Sequence, residues 1–151
     1  MNDHASVLIV DDEEVVRHAH LRSLARTGCH AEVAENGASA LEFMERRPFD
    51  VVLLDLRMPG MSGMDILKTI KQRWPDSEVV VITGYPSIET AKEAVRLGAY
   101  NYIAKPLGPD DVVRAANEAW TQKCWALRAE HNDREADDLV ATQRNSQAVS
   151  H

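Results

Sequence analysis

Four short stretches of the chain carry side chains that could do chemistry together: Asp11-Asp12-Glu13-Glu14, Asp55, Thr83-Gly84 and Lys105-Pro106. Three carboxylates, a hydroxyl and an ammonium are a coherent set for holding a hard cation beside a phosphoryl group. A small divalent cation such as Mg2+ prefers oxygen ligands and keeps several waters, so one or two carboxylates plus phosphate oxygens suit it. Asp12 and Asp55 would supply those carboxylates. A carboxylate can also attack phosphorus and form an aspartyl phosphate. Charge developing on the transferred oxygens is stabilised by fixed cations, a role open to Lys105, with Thr83 donating a hydrogen bond to the product.

Each residue also has a plain explanation. Asp11-Asp12 could cap a helix, Asp55 before Met58-Pro59-Gly60 could be turn chemistry, and Thr83-Gly84 and Lys105-Pro106 are commonplace pairs. Their joint occurrence matters more. Each follows a short apolar run: Val7 to Val10, Val51 to Leu54, Val79 to Ile82 and Tyr102 to Ala104, with one further run at His30 to Ala34. Helical patterns lie between them, at Glu14 to Thr27, Ala38 to Arg46, Met64 to Arg73, Ile88 to Leu97 and from Pro109 onward. Strands alternating with helices predict βαβ units and a parallel sheet, an α/β (βα)5 domain. The runs Val51 to Leu54 and Val79 to Ile82 are apolar without alternation, as central strands covered on both faces should be, and the less apolar flanking runs suit edges. In such sheets ligands bind beyond the carboxyl ends of the strands, which is where the four stretches fall. Gly28 and Gly98 stand where helices should stop, and Pro109 with Asp110 and Asp111 suits a helix start.

Composition narrows the function classes. With 151 residues, 44% apolar and 27% charged, the chain holds one globular unit plus a tail. A formal charge of −7 disfavours direct nucleic-acid binding. No apolar run approaches membrane-spanning length, and residues 1–6 lack a secretory pattern, so a cytoplasmic location is the default expectation. Cys29 and Cys124 are at no metal spacing and read as packing residues, and His18, His20 and His30, without partners at ligand spacing, read as ordinary surface or packing residues. On the last helix, Val113, Ala116, Trp120, Cys124 and Leu127 form a stripe of about two heptads, too short for a coiled coil. Beyond Asp133 the composition turns polar, and Thr142 to His151 is expected to be frayed or disordered.

The motifs Val7-Leu8-Ile9-Val10-Asp11-Asp12-Glu13, Val51 to Gly63, Val81-Ile82-Thr83-Gly84-Tyr85 and Gly98 to Pro106, in that order, resemble the receiver domains of two-component response regulators. The resemblance covers about Ser6 to Ala119. It implies a flavodoxin-like, doubly wound sheet of strand order 2-1-3-4-5, here with an extended C-terminal helix. It also implies a Mg2+-dependent phosphoacceptor at Asp55, with Asp12, Asp55 and the backbone carbonyl of Arg57 as metal ligands and Asp11 acting through a water. Lys105 would pair with the phosphate across a cis bond to Pro106, and Gly84 would leave the phosphate approachable. Thr83 would be the switch hydroxyl and Tyr102 the switch aromatic that moves in behind it; Arg57 and Tyr85 would tune phosphoryl lifetime. The implied partners are a histidine kinase or phosphotransfer protein and a downstream protein target, with a weak homodimer as a further option.

Residues 85–102 most resemble receivers attached to AAA+ transcriptional activators, although Asn101 stands where many carry an acid. On this reading residues 1–125 form the receiver and residues 126–151 a helical extension and tail with no output domain, so that output would go through protein contact on the face of the fourth helix, fifth strand and fifth helix. Three alternatives stay open. A haloacid-dehalogenase-like phosphatase also forms an aspartyl phosphate, but places a second Asp where Arg57 stands. A flavodoxin-like cofactor binder would need a first loop that does not repel phosphate as Asp11 to Glu14 would. A pseudo-receiver would bind partners without phosphorylation. One energetic argument favours a used site: like charges at ~4 Å repel by about 4 kcal/mol at an effective dielectric of ~20, so an idle carboxylate cluster is costly.

Overall fold

The computed structural model describes residues 5–149, with side chains described to residue 146. Five strands alternate with five helices: β1 (Ser6–Val10), α1 (Glu14–Ala25), β2 (His30–Ala34), α2 (Gly37–Arg46), β3 (Val51–Asp55), α3 (Gly63–Arg73), β4 (Glu78–Thr83), α4 (Ile88–Arg96), β5 (Asn101–Ala104) and α5 (Pro109–Val149). All pairings are parallel, in the order β2-β1-β3-β4-β5. The expected strand order and the edge positions of β2 and β5 are thus observed. Register is what builds the site. Val10 pairs with Leu54, Asp55 with Ile82 and Thr83 with Ala104, so all four strands end at nearly one level.

Strand parity divides the core. Leu8, Val10, Val52, Leu54, Val79 and Val81 point to one face and pack with Ala40, Met44, Ile66, Leu67, Ile70 and Ala94 from α2, α3 and α4. Val7, Ile9, Val51, Leu53, Val80 and Ile82 point to the other, against Leu24 of α1 and Val112, Ala115, Ala116 and Ala119 of α5. Continuous apolar strands therefore feed two separate cores, which is why the central ones show no alternation.

Helix ends follow local chemistry. Gly98 (φ +100°) closes α4 in a left-handed conformation, with the Ala99 amide reaching back to the Ala94 carbonyl at 2.9 Å. Gly63 has a different constraint: a Cβ there would lie 2.5 Å from the Leu56 Cα and 2.7 Å from its carbonyl oxygen. Only a residue without a side chain lets α3 start so close to the strand it follows.

Two expectations about α5 are corrected. Its fully buried seam is Val112, Ala115, Ala116 and Ala119; of the expected stripe, Ala116 lies in that seam, Trp120 packs against its edge, Val113 and Cys124 are half-buried, and Leu127 is exposed. Small alanines allow the helix to approach the sheet closely, whereas the large apolar residues suggested a face that overlaps the seam only in part. The helix also continues through Thr142 to Val149, where fraying was expected. Nothing after Pro109 breaks it, since no glycine or further proline occurs there. Ser150 and His151 lie outside the described residues. Lys123 anchors this helix to the base of the sheet by an ion pair with Asp50, whose other oxygen accepts from the Ser6 amide at 2.8 Å. From Trp125 to Ser146 every residue is exposed.

Candidate functional site

Asp11 leaves β1 at the level where Asp55 ends β3, and Lys105 leaves β5 beside Thr83 at the end of β4. The sheet therefore delivers all four side chains to one edge. Asp11, Asp55 and Thr83 are buried, and Asp12 is exposed. Lys105 Nζ donates to Asp11 Oδ2 at 2.8 Å and to Asp55 Oδ2 at 3.3 Å, and lies 3.8 Å from Glu13 Oε1. Backbone amides hold the remaining oxygens: Glu13 N–H donates to Asp11 Oδ1 (2.9 Å) and Arg57 N–H to Asp55 Oδ1 (3.1 Å). These two-residue loops fix one oxygen of each carboxylate locally, while Lys105 holds the other. The Arg17 guanidinium secures the backbone beneath them by donating to the Asp11 carbonyl at 3.0 Å.

Asp11, Asp12 and Asp55 each place a carboxylate oxygen within 4.8 Å of the others. This all-oxygen donor set suits a hard divalent cation and could bind one. Burial pushes the Asp55 carboxyl upward; the Arg57 amide and Lys105 pull it down, while Asp11 adds to the rise. For Lys105, burial opposes the charge, but its bonds to Asp11 and Asp55 outweigh that and hold the ammonium above its usual range. Three carboxylates face one ammonium, so the cluster lacks positive charge, which a cation would supply.

The flanking residues divide. Thr83 Oγ1 accepts from the Tyr85 amide at 3.1 Å, which leaves its proton free to donate. The Arg57 guanidinium stacks on the Tyr85 ring at 3.7 Å, so the two residues expected to act in parallel are in contact. A Cβ on Gly84 would touch only Lys105 Cδ, at 4.0 Å; the segment is open, as expected, but does not demand glycine. The Lys105–Pro106 bond is cis. Tyr102 stands apart from the acid cluster, its hydroxyl bonded to the Ser87 amide (3.1 Å) and Thr90 Oγ1 (2.6 Å) at the start of α4. His20 is buried, and burial lowers its affinity for a proton, with Asp11 opposing and Lys105 reinforcing. Arg17, Ser87 and Thr90 were missed in the sequence. Arg17 could have been found, since it lies one helical turn after Glu13; the link from Tyr102 to α4 had no local signal.

Among the described residues no helix is long and apolar enough to cross a membrane. Residues 7–117 match the family model described as "Response regulator receiver domain". The NtrC DNA-binding transcriptional regulator of Escherichia coli is 39% identical over 113 residues, 75% of this chain and 24% of that protein. The photosynthetic apparatus regulatory protein RegA of Rhodovulum sulfidophilum is 36% identical over 115 residues, 76% of this chain and 63% of that one. The crystal structure of the receiver domain of NtrX from Brucella abortus superimposes with TM-score 0.72 at 35% identity, covering 76% of this chain and 98% of that one. Against longer relatives of the NtrX and NtrC type the chain spans about a quarter of their length.

Proposed function

Because the chain belongs to the response regulator receiver domain family, and to its NtrC/NtrX type, we propose that it is a phosphorylation switch in which Asp55 is the phosphoacceptor. The observation that carries this reading is Lys105 Nζ bridging Asp11 and Asp55 at the sheet edge, with the Thr83 hydroxyl alongside.

An Asp55 oxygen attacks the phosphorus of a phosphohistidine on a histidine kinase or phosphotransfer protein; the P–N bond breaks and its electron pair returns to the imidazole. Lys105 pairs with the transferred oxygens, and Thr83 turns its free proton toward them. Asp12, Asp55 and the Arg57 carbonyl would hold Mg2+, with Asp11 acting through a water; Mg2+ when bound offsets the charge that Lys105 alone cannot. Water returns the carboxylate and releases phosphate, so the only turnover is that of the chain's own phosphoryl group. The Arg57–Tyr85 stack, on the loops that follow Asp55 and Thr83, would tune the rate of this step. Residues 1–125 would act as the receiver and the rest of α5 as its extension.

The outer face of α4 supports output through protein contact. Ile88 and Val95, two turns apart, are 75% and 62% exposed, although they are apolar. Incubation with acetyl phosphate and Mg2+ should label the protein once, at Asp55. Labelling that persists in Asp55→Ala refutes the assignment.

A further inference from the structure

Helix α4 starts with half of a cap. Ser87 Oγ accepts from the Thr90 amide at 3.1 Å, as an N-cap serine should. In a complete capping box the residue at the third helical position, a Glu or Gln, reaches back to the N-cap amide. Helix α5 has this second half, with Asp111 Oδ2 accepting from the Gly108 amide at 3.0 Å. In α4 the third position is Thr90, whose hydroxyl bonds Ser87 Oγ (2.8 Å) and the Ser87 carbonyl (3.2 Å) but not the Ser87 amide. That amide donates instead to the Tyr102 hydroxyl on β5, 15 residues away, and Tyr102 is held there by Thr90 Oγ1 at 2.6 Å.

We propose that the Tyr102 hydroxyl is the missing half of the α4 cap, so that Tyr102 leaving for the Thr83 side and α4 losing its first-turn cap are one event, with Thr90 as the positioning residue that sets the balance. The coupling to phosphorylation rests on Asp55 being the acceptor; the cap itself does not. The chemistry is an exchange of one acceptor. While the phenol caps Ser87 it cannot follow Thr83, and once it follows Thr83 the Ser87 amide is unpaired. A longer side chain at position 90 would fill the vacancy in cis and release Tyr102 from this duty. The apolar outer face of α4 begins at Ile88, the next residue, so loosening this turn would alter the surface a partner reads.

Amide exchange at Ser87, followed by NMR, tests the proposal in two stages. In the unphosphorylated protein Tyr102→Phe should speed Ser87 exchange about fivefold, the effect of one modest hydrogen bond. Adding Thr90→Gln to that variant should restore it. Unchanged exchange in Tyr102→Phe overturns the cap, and failure of Thr90→Gln to rescue overturns the role of position 90. With acetyl phosphate and Mg2+, Ser87 exchange should rise in the wild type and stay slow in Thr90→Gln. A labelled Asp55 with unchanged Ser87 exchange overturns the coupling. Absence of label refutes the phosphoacceptor, and the coupling with it, while the first-stage result stands.

Discussion

Replacing Asp12 by Asn should make the protein more stable without metal and less stable with it. The oxygens of Asp11, Asp12 and Asp55 lie within 4.8 Å of one another. Two charges at that distance repel by about 1 kcal/mol in water and about 3.5 kcal/mol at an effective dielectric of ~20. Asp12 is exposed, so the lower figure governs, and Lys105 offsets part of the repulsion from its two neighbours. A net gain of about 1 kcal/mol remains, a rise of about 3 °C in melting temperature for a domain of this size. Wild type at a Mg2+ concentration a hundred times Kd gains about 2.7 kcal/mol by mass action, whereas the variant, having lost a carboxylate, gains little. Thermal melts in EDTA and in Mg2+ should therefore rank the two proteins in opposite orders. A variant that melts below wild type in EDTA, or that keeps the full Mg2+ increment, refutes the reasoning.

Three further outcomes are expected. Asp55 is raised above its unfolded value by burial, so its favourable contribution is present at acid pH and lost as pH rises through the raised value. Asp55→Asn should accordingly raise the metal-free melting temperature at pH 7, by an amount that shrinks toward pH 4. Gly63→Ala should cost about 2–3 kcal/mol in urea unfolding because its Cβ meets Leu56 backbone, whereas Gly37→Ala, whose close contacts are with the Ile66 side chain, should cost roughly 1 kcal/mol. Tyr85→Ala should shorten the phosphoryl half-life about two- to fivefold, as expected for loss of an exposed cation–π contact worth about 0.5–1 kcal/mol; the same shortening in Arg57→Ala, with no further change in the double variant, would identify the pair as one unit.

Asp11, Asp55, Thr83 and Lys105 were legible because each terminates a short apolar run, and parallel pairing brings such ends to one edge whatever the loops do. The helix stops at Gly28 and Gly98 were legible for a similarly local reason, the left-handed backbone that each adopts. Long-range pairs were not. Lys123 and Asp50 are 73 residues apart, and neither differs in sequence from any surface charge. The α5 seam was read only in part, through Ala116 and Trp120, because alanine carries little hydropathy although it permits the closest packing. Thr90 was passed over because a threonine at the third helical position signals nothing until the phenol of Tyr102 arrives from β5.

The anchored base of α5 gives the molecule a mechanical property. At 1.5 Å per residue, the stretch from residue 126 to 149 is a rod about 36 Å long. Lys123 and Asp50 sit at its fulcrum, on the far side of the sheet from the acid cluster, and α5 packs against β3 and β4, the strands that carry Asp55 and Thr83. A tilt of about 5° at that fulcrum carries the far end roughly 3 Å, several times the displacement at the base. A small readjustment of the sheet transmitted through this contact would therefore be read out as a larger displacement at residue 149.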